Sequence, residues 1–358
     1  MTNTIRIGLI GAGDNMRKRH IPGFNAISGV ELTAVCNRRP ESTDRIAAEY
    51  AIPKTYAHWE ELVADKDIDA ICIGTWPYLH CPITLAALAA GKHVLTEARM
   101  AMNASEAHQM LAAAKKYPDL TTQIVPSPFG LKGDRYVKQL LRDGYLGELR
   151  EVHIYGRSGL LADPATPLSW RQDGTLSGYN MLTLGILHET MLRWLPPPVQ
   201  VMAQHHAFIP TRIDPQGGVR RPVGTPDSVQ VLSILKDDTS CTYHFSAATP
   251  FGRGHGVEMF GTEGVLVYDP ETDQMWGANR EHYPQGTGIR DLSELSIPDE
   301  LCLSWQVEAD FVRSIREGDP VEFTDFATGV AYMEFTEAVV RSAREGIAVE
   351  LPLEEFLA

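Results

Sequence analysis

The residues best equipped for chemistry come early in the chain. Gly8-Leu9-Ile10-Gly11-Ala12-Gly13-Asp14-Asn15-Met16 follows directly on a short apolar run. Gly11 and Gly13 fill the first two positions of a dinucleotide fingerprint. The first permits a tight turn, and the second lets the backbone approach a pyrophosphate at the next helix N-terminus. Met16 stands where a third glycine is usual, which predicts looser helix–sheet packing or a shifted helix start. Glycines serving only a turn are the alternative; a strand before, a helix after and a βαβ run favour the cofactor reading. A second apolar run ends at Asn37-Arg38-Arg39. An acidic residue there would bond the adenosine ribose of NAD. Asn37 can bond one hydroxyl, and Arg38 or Arg39 can pair with a 2′-phosphate, which favours NADP over NAD. An arginine stacked on the adenine face is compatible with either cofactor.

The elements that must position these residues alternate. Strand-like runs at Ile5–Ile10, Val30–Cys36, Ala70–Ile73, His93–Thr96 and 122–125 are separated by helical stretches at Pro40–Tyr50, 79–90 and 105–116. In the last, Ala107, Met110, Leu111 and Ala114 share one face, and Ser105 is the expected N-cap. Gly91 is expected in a left-handed C-cap. Such alternation builds right-handed βαβ units and a parallel sheet. Beyond Pro126, Pro128 and Gly130 the pattern changes. An amphipathic helix at 136–142 and a Gly144–Gly147 turn lead into a strand at 151–156. Residues 160–180 read as a long loop, a feature often functional in a compact domain. Strand-like runs at 199–208, Ser228–Leu235, 240–245, 256–260 and 265–268 imply a mostly antiparallel sheet, half exposed. Helices at 305–317 and 325–345 close the chain. The expected fold is α/β: a Rossmann dinucleotide-binding domain over residues 1–126, then an α+β domain with a large, mostly antiparallel open sheet over 127–358. The last helices can pack back on the first domain.

Composition narrows the function. The 358 residues are 44% apolar and 22% charged, near the globular norm, which argues for about two domains. A formal net charge of −14 argues against nucleic-acid binding and against a polybasic membrane surface, though not against a local basic pocket. No run reaches the roughly eighteen uncharged apolar residues of a membrane helix, and the N-terminus lacks the pattern of a signal peptide. Cys36, Cys72, Cys81, Cys241 and Cys302 form no CxxC pair, which suggests free thiols in a reducing cytoplasm. No metal site is expected: there is no HExxH, and His205 and His206 fall on opposite faces of a strand-like run.

Three segments carry a family resemblance: the glycine loop, Gly74-Thr75-Trp76-Pro77-Tyr78-Leu79-His80, and the stretch from Ala89 to Ala101 that contains His93-Val94-Leu95-Thr96-Glu97-Ala98-Arg99. They resemble the glucose–fructose oxidoreductase / inositol dehydrogenase family (Gfo/Idh/MocA). The resemblance implies an N-terminal Rossmann domain and a C-terminal α/β domain whose open sheet often forms an oligomer interface. Residues 147–153 match the start of that second domain, Trp170-Arg171 a loop near the cofactor, and 342–346 the end of the last helix. Several positions depart from the family. Thr75-Trp76-Pro77 replaces Thr-Pro-Asn, and the Trp76 indole can pack on the cofactor or form a wall. Glu97-Ala98-Arg99 replaces Glu-Lys-Pro, whose lysine assists proton transfer in the family. Arg99, one residue out of register, can stabilise an oxyanion but is a poor general base. Thr183 replaces an aspartate on a helix lining the pocket. Leu187 falls where a histidine is usual, and His188 comes one residue later.

The catalytic candidates are therefore Arg99, His188 and Tyr179. An imidazole suits proton transfer near neutrality, and a phenol can donate to a carbonyl oxygen. The cofactor candidates are Gly11, Gly13, Asp14, Asn15, Met16, Asn37, Arg38, Arg39, Thr75, Trp76, His80, Glu97, Trp170 and Arg171; His80 matches a family histidine near the cofactor. Asn180, Thr183, Phe129 and Asp163 are the substrate candidates. At helical spacing, Tyr179, Asn180, Thr183, Leu187 and His188 cannot all face one narrow site. The leading reading is an NAD(P)-dependent oxidoreductase passing hydride between nicotinamide and a sugar, polyol or related hydroxyl or carbonyl compound. A cofactor-dependent lyase or glycosidase-like enzyme, and a silent cofactor-binding sensor, are the alternatives. The expected partners are the small-molecule substrate and copies of the same chain, in a homodimer or homotetramer built through the C-terminal sheet.

Overall fold

The apolar runs of the first third pair side by side. The computed structural model describes residues 4–282 and 292–357. β1 (Ile5–Ile10), β2 (Val30–Cys36), β3 (Lys54–Thr55), β4 (Ala70–Ile73), β5 (His93–Thr96) and β6 (Thr122–Ile124) form a six-stranded sheet in the order β3-β2-β1-β4-β5-β6. Every neighbouring pair is parallel. That is the doubly wound order, in which strand order reverses beside β1 and opens a crevice at the carboxyl ends of the strands. Helices cover both faces, so β4 is buried throughout and reads as an unbroken apolar Ala-Ile-Cys-Ile. Ile7, Leu9, Ile71, Ile73, Val94 and Leu95 are sealed from solvent; each such aliphatic side chain contributes about 1.5–3 kcal/mol.

The chain divides into two compact units, one of residues 1–126 with 306–333, the other of 127–305 with 334–358. The return of 306–333 to the first unit has visible causes. Ile124 N donates to Thr324 O at 2.9 Å, and Gln123 Nε2 donates to Asp310 Oδ2 at 3.0 Å. Helix Val307–Glu317 also buries Phe311 and Val312. The helix expected at 105–116 spans Ala104–Lys116 and is capped by Asn103, not Ser105. Asn103 Oδ1 accepts from Glu106 N at 2.9 Å while Glu106 Oε2 accepts from Met102 N at 3.0 Å. That exchange satisfies two amides, where a lone Ser105 cap would satisfy one.

In the second unit, β7 (Leu149–Arg157), β8 (Pro198–His206), β11 (Ser228–Leu235), β12 (Ser240–Ser246), β13 (Gly254–Gly261), β14 (Gly264–Asp269), β15 (Gln274–Asn279), β16 (Ser293–Glu294) and β17 (Val349–Glu350) build one nine-stranded sheet. A small hairpin, β9 (Thr211–Ile213) with β10 (Arg220–Pro222), stands apart from it in the pairing. Only β7 and β12 pair in parallel; the other neighbours are antiparallel. β11 alternates: Val229, Val231 and Leu235 are buried, while Leu232 and Ile234 are exposed. The long loop at 160–180 is more ordered than its composition suggests. It holds a 3-10 turn at Trp170–Gln172 and a short helix at Gly174–Ser177. Buried Arg212 pins it by donating to the carbonyls of Asp163 (2.8 Å), Thr166 (2.9 Å) and Leu161.

The helix expected to carry Tyr179, Asn180, Thr183 and His188 together begins only at Leu184, running to Trp194. Gly178 (φ +64°) and Leu182 (φ +47°) turn the chain out of helical geometry before it. Helical spacing therefore does not relate Tyr179 and Asn180 to His188.

Candidate functional site

At the carboxyl ends of β1, β2 and β4, a cleft of about 890 Å³ is lined by residues 10–13, 36–39 and 74–76, with Ser42, Arg45, His58 and Trp59. Gly11 is required by the backbone. Its φ is +85°, and a Cβ there would lie 2.7 Å from Thr75 N. Gly13 is different: an added Cβ would meet no protein atom within 4 Å, so the position faces open space. A backbone left bare where the protein itself does not need the room is what close approach of a ligand requires. Met16 does not line the cleft. It is 1% exposed, with its sulfur 3.7 Å from Cys72 Sγ, and it supports the loop from beneath. The following helix begins at Asp14, directly after the glycines, and widens into a π-turn at Met16–His20. Asp14 is exposed and spent on Lys18 at 2.8 Å.

The ribose end of the cleft corrects one expectation. Asn37 does not hold its carboxamide free for a ribose hydroxyl. Its Oδ1 accepts from Ala12 N at 2.6 Å, and its Nδ2 donates to Ser42 O at 3.2 Å, so it braces the glycine loop against the β2 turn. Arg38 lies over the Trp76 ring, 4.9 Å from its centroid. Arg38, Arg39 and Arg45 all reach the lining. Sequence reasoning missed Ser42, Arg45, His58 and Trp59; the helix starting at Pro40 carries the first two, one turn apart on a single face.

Beneath the loop sits a buried charge cluster. Glu97 accepts from Asn15 Nδ2 and lies 3.1 Å from His20 Nε2, while His20 Nδ1 lies 2.5 Å from Glu308 Oε1. His20 is fully buried. Burial alone would push its pKa down, but the hydrogen bonds to Glu308 and Glu97 outweigh that and raise it to about 9. Burial likewise opposes charge on Glu97, and His20 and Asn15 overcome it and hold the carboxyl below its usual range. Gly23 makes this possible, because a Cβ there would sit 2.6 Å from Glu308 Oε2. Glu97 thus serves the glycine loop through Asn15, where a direct cofactor contact was expected. His80 is also fully buried, 2.9 Å from Arg99 O and 3.0 Å from Thr75 O. It ties the β4 turn to the β5 turn, and burial lowers its pKa. Arg99 is 7% exposed, and the next amide, Met100 N, donates to Tyr332 Oη at 2.5 Å.

The second unit separates its candidates. His188 lies in the core, 1% exposed, with Nδ1 2.8 Å from Tyr243 Oη and its ring stacked on Phe335 at 3.6 Å. Burial pushes its pKa down to about 3. A ring so placed is a packing element and a weak base, which argues against the proton-transfer role the sequence suggested. Asn180 is buried and donates to Ser177 O at 2.7 Å. Tyr179 is half-buried with Arg344 5.2 Å from its ring centroid, and Arg171 lies 4.3 Å from the ring of Trp170. Asp163 is exposed and accepts from Ala165 N. Phe129 and Thr183 do come together, and the meeting point is a residue that sequence reasoning missed. The His255 ring packs on Phe129 at 4.8 Å, and its Nε2 lies 3.0 Å from Thr183 Oγ1. The available signal was a histidine set among glycines in Gly252-Arg253-Gly254-His255-Gly256.

A parallel sheet in this order, with a glycine turn and a basic cleft at its switch point, defines an α/β dinucleotide-binding protein carrying a second, mixed-sheet domain. The model of the oxidoreductase family with an NAD-binding Rossmann fold (GFO/IDH/MocA) matches residues 5–123, and that of the GFO/IDH/MocA C-terminal domain matches 135–267. The chain belongs to this family, and it is an NAD(P)-dependent oxidoreductase. Among its relatives, an uncharacterized oxidoreductase of Synechocystis is 27% identical, covering 83% of this chain and 80% of its own length. Levoglucosan dehydrogenase of Pseudarthrobacter phenanthrenivorans is 25% identical, covering 97% and 98%. A solved levoglucosan dehydrogenase in complex with NADH and L-sorbose superposes with a TM-score of 0.85 at 22% identity, covering 98% of this chain and 99% of that one, a likeness of fold. Neither the lyase nor the sensor alternative is favoured by these relatives. Among the described residues, no helix is long and apolar enough to cross a membrane.

Proposed function

We propose that the chain interconverts a hydroxyl and a carbonyl group on a sugar, polyol or related compound, with NADP(H) preferred over NAD(H). The observation that carries the reading is the cleft, in which bare Gly13 faces a lining that includes Arg38, Arg39 and Arg45. Three guanidiniums and the Ser42 hydroxyl suit a 2′-phosphate, and they outnumber Glu41, the acidic side chain in the lining that a bare ribose would use as acceptor. The Arg38–Trp76 stack offers a flat wall for adenine. The sugar class follows from relatives named as acting on levoglucosan and related compounds.

The bound nicotinamide would supply the hydride chemistry. The residues of this chain do the rest. The amides after β1 hold the diphosphate, and the Asn15–Glu97–His20 cluster fixes that loop from below. Arg99, protonated at any ordinary pH, is the proposed stabiliser of negative charge on the reacting oxygen, and Tyr179 is the candidate donor that the second unit offers. Trp170 and Arg171 remain cofactor candidates, and Asn180 and Asp163 substrate candidates, on the strength of the family resemblance alone. The assembly is a homodimer or homotetramer through the open sheet, where Met202 (44% exposed) pairs with Leu232 (63%) and Ile234 and Phe260 share the same face. Titration with NADP+ and NAD+, followed by a sugar and polyol panel read at the nicotinamide absorbance band, tests the proposal. Tighter NAD+ binding would defeat the phosphate argument. No absorbance change on any hydroxyl compound would defeat the substrate class, and Arg99→Ala with unchanged kcat would remove that residue from the chemistry.

A further inference from the structure

We infer that Trp76 is a positioning residue for cofactor choice: its indole holds the Arg38 guanidinium in place for the 2′-phosphate of NADP(H), and does so without touching the phosphate. The inference rests on the cofactor reading above and names what makes one of the three arginines selective. Arg38 Cζ lies 4.9 Å from the centroid of the Trp76 ring, and both residues line the cleft. Arg38 belongs to the turn after β2 and Trp76 to the turn after β4. Those two strands flank β1, so the contact joins the turns on either side of the glycine loop. The turn after β2 is where a sheet of this order meets the adenosine ribose.

The two partners differ in what holds them. Trp76 is fixed from its backbone outwards. It precedes Pro77, which confines it to extended geometry, and its φ of −83° and ψ of 158° obey that limit. The residue before it is tied by His80, whose Nε2 lies 3.0 Å from Thr75 O. Gly74 N donates to Ile10 O at 2.7 Å, and a Cβ at Gly74 would fall 2.5 Å from Gly11 O, so the turn is seated on the glycine loop. The indole itself is half-buried. Around Arg38 the backbone is held as well. Asn37 N donates to Thr43 Oγ1 at 2.9 Å, and Arg39 O accepts from Ser42 N at 3.0 Å and from Thr43 N at 3.1 Å. The Arg38 side chain is exposed and, among the described residues, paired with no carboxylate. Arg17 and Lys18, by contrast, are engaged with Asp14 at 3.5 and 2.8 Å. The Trp76 ring is thus the contact that orders an otherwise loose guanidinium.

That order bears on affinity. An arginine side chain loose in water surrenders its rotamers when it meets a phosphate, and the loss weakens binding. A guanidinium already laid on an indole has given most of them up. One face rests on the ring, and the N–H donors at its edge stay available to a phosphate. A lysine at the same place would keep the charge and lose the flat contact. The gain goes chiefly to a ligand that carries the phosphate. Were the indole only a wall for adenine, both cofactors would gain alike.

The test measures binding to the full chain of two probes, adenosine 2′,5′-bisphosphate and 5′-AMP, alongside NADP+ and NAD+. Trp76→Leu is expected to weaken the bisphosphate and NADP+ about 5- to 10-fold, and 5′-AMP and NAD+ by no more than about 2-fold. Trp76→Phe should restore most of the difference, because it returns a flat ring. Arg38→Lys, at an exposed position, should lose the same preference although it keeps the charge, and it decides the matter even where Trp76→Leu fails to fold. In an Arg38→Ala background, Trp76→Leu should add nothing to the loss, since ring and guanidinium act as one. Equal weakening of both probes in Trp76→Leu overturns the inference and leaves the indole a plain adenine wall. Full preference retained in Arg38→Lys, or additive losses in the double variant, overturns it as well. If the unmodified chain binds neither probe and neither cofactor, the cofactor reading falls and takes the inference with it. If it binds NAD+ more tightly than NADP+, the phosphate preference of the cleft falls, and the change that Trp76→Leu makes in the bisphosphate-to-AMP ratio still decides the role of the ring.

Discussion

Raising the pH from 6.5 to 9.5 should unlock the first unit at one identifiable place. His20 is fully buried between Glu97 and Glu308, and its pKa stands at about 9 against an ordinary 6.5. Because the folded value is raised, the stabilisation is complete below pH 6.5 and is lost as pH climbs through 9. A shift of this size corresponds to about 3 kcal/mol, a large share of the 5–15 kcal/mol that holds a typical domain. The assay is urea unfolding at half-unit pH steps, with His20→Gln run in parallel. A net charge of −14 destabilises any such chain at high pH through self-repulsion, and the variant shares that slope. The difference between the two curves isolates the imidazolium. At pH 6.5 the variant should already be weaker by about 3–5 kcal/mol, since both buried carboxylates lose their counter-charge. Above pH 9 the gap should narrow as the wild-type imidazole loses its own charge. Because Glu97 also holds Asn15 in the glycine loop, cofactor affinity should fall over the same window. Parallel curves for the two proteins from pH 6.5 to 9.5 would refute the reasoning.

Further outcomes follow from the same geometry. Gly13→Ala should leave the melting temperature nearly unchanged, since the added methyl meets no protein atom, yet weaken cofactor binding by about 10-fold or more, the effect of roughly 1.4 kcal/mol of crowding. Gly11→Ala should do both kinds of damage, because its φ of +85° and the 2.7 Å approach to Thr75 N strain the fold itself; calorimetry and thermal melts on the pair separate the two roles. His188→Ala should destabilise the second unit by about 2–4 kcal/mol through lost packing on Phe335 and Tyr243, while the pH profile of turnover stays in place. A lost acidic limb in that variant would restore His188 to the proton path. Arg45→Ala should raise the dissociation constant for NADP+ about 10-fold and leave that for NAD+ almost unaltered, measured by fluorescence titration; equal losses for both would mean that the guanidinium touches no 2′-phosphate.

The fold was legible wherever local pattern and burial agree. Ala70–Ile73 is buried on both faces and reads as an unbroken apolar run, and Ile5–Ile10 is buried apart from Arg6, so their bounds follow from composition. Short edge strands such as Lys54–Thr55 carry no such signal, because two residues held by one neighbour need no apolar pattern. Asn103 outcompetes Ser105 as a cap through its reciprocal partner at Glu106, a pairing visible in the spacing once looked for. The candidate site was legible in its glycines and arginines, whose chemistry is local to the β1 and β2 turns. It was illegible where contacts are distant. Asn37 is claimed by Ala12, Glu97 by His20, and Thr183 by His255, 72 positions along the chain. His188 looked catalytic by type, and only the fold reveals the Phe335 ring lying flat against it. The break at Gly178 and Leu182 likewise undoes any helical-wheel argument that runs through it.

Isothermal calorimetry of the intact chain with NADP+, NAD+ and their reduced forms bears most directly on all of this. Saturable binding of one dinucleotide per chain, tighter for the phosphorylated form and weakened in Gly13→Ala, is the predicted result. Heat no different from dilution for all four at millimolar concentration, from protein shown to carry none on purification, would contradict the account at its root.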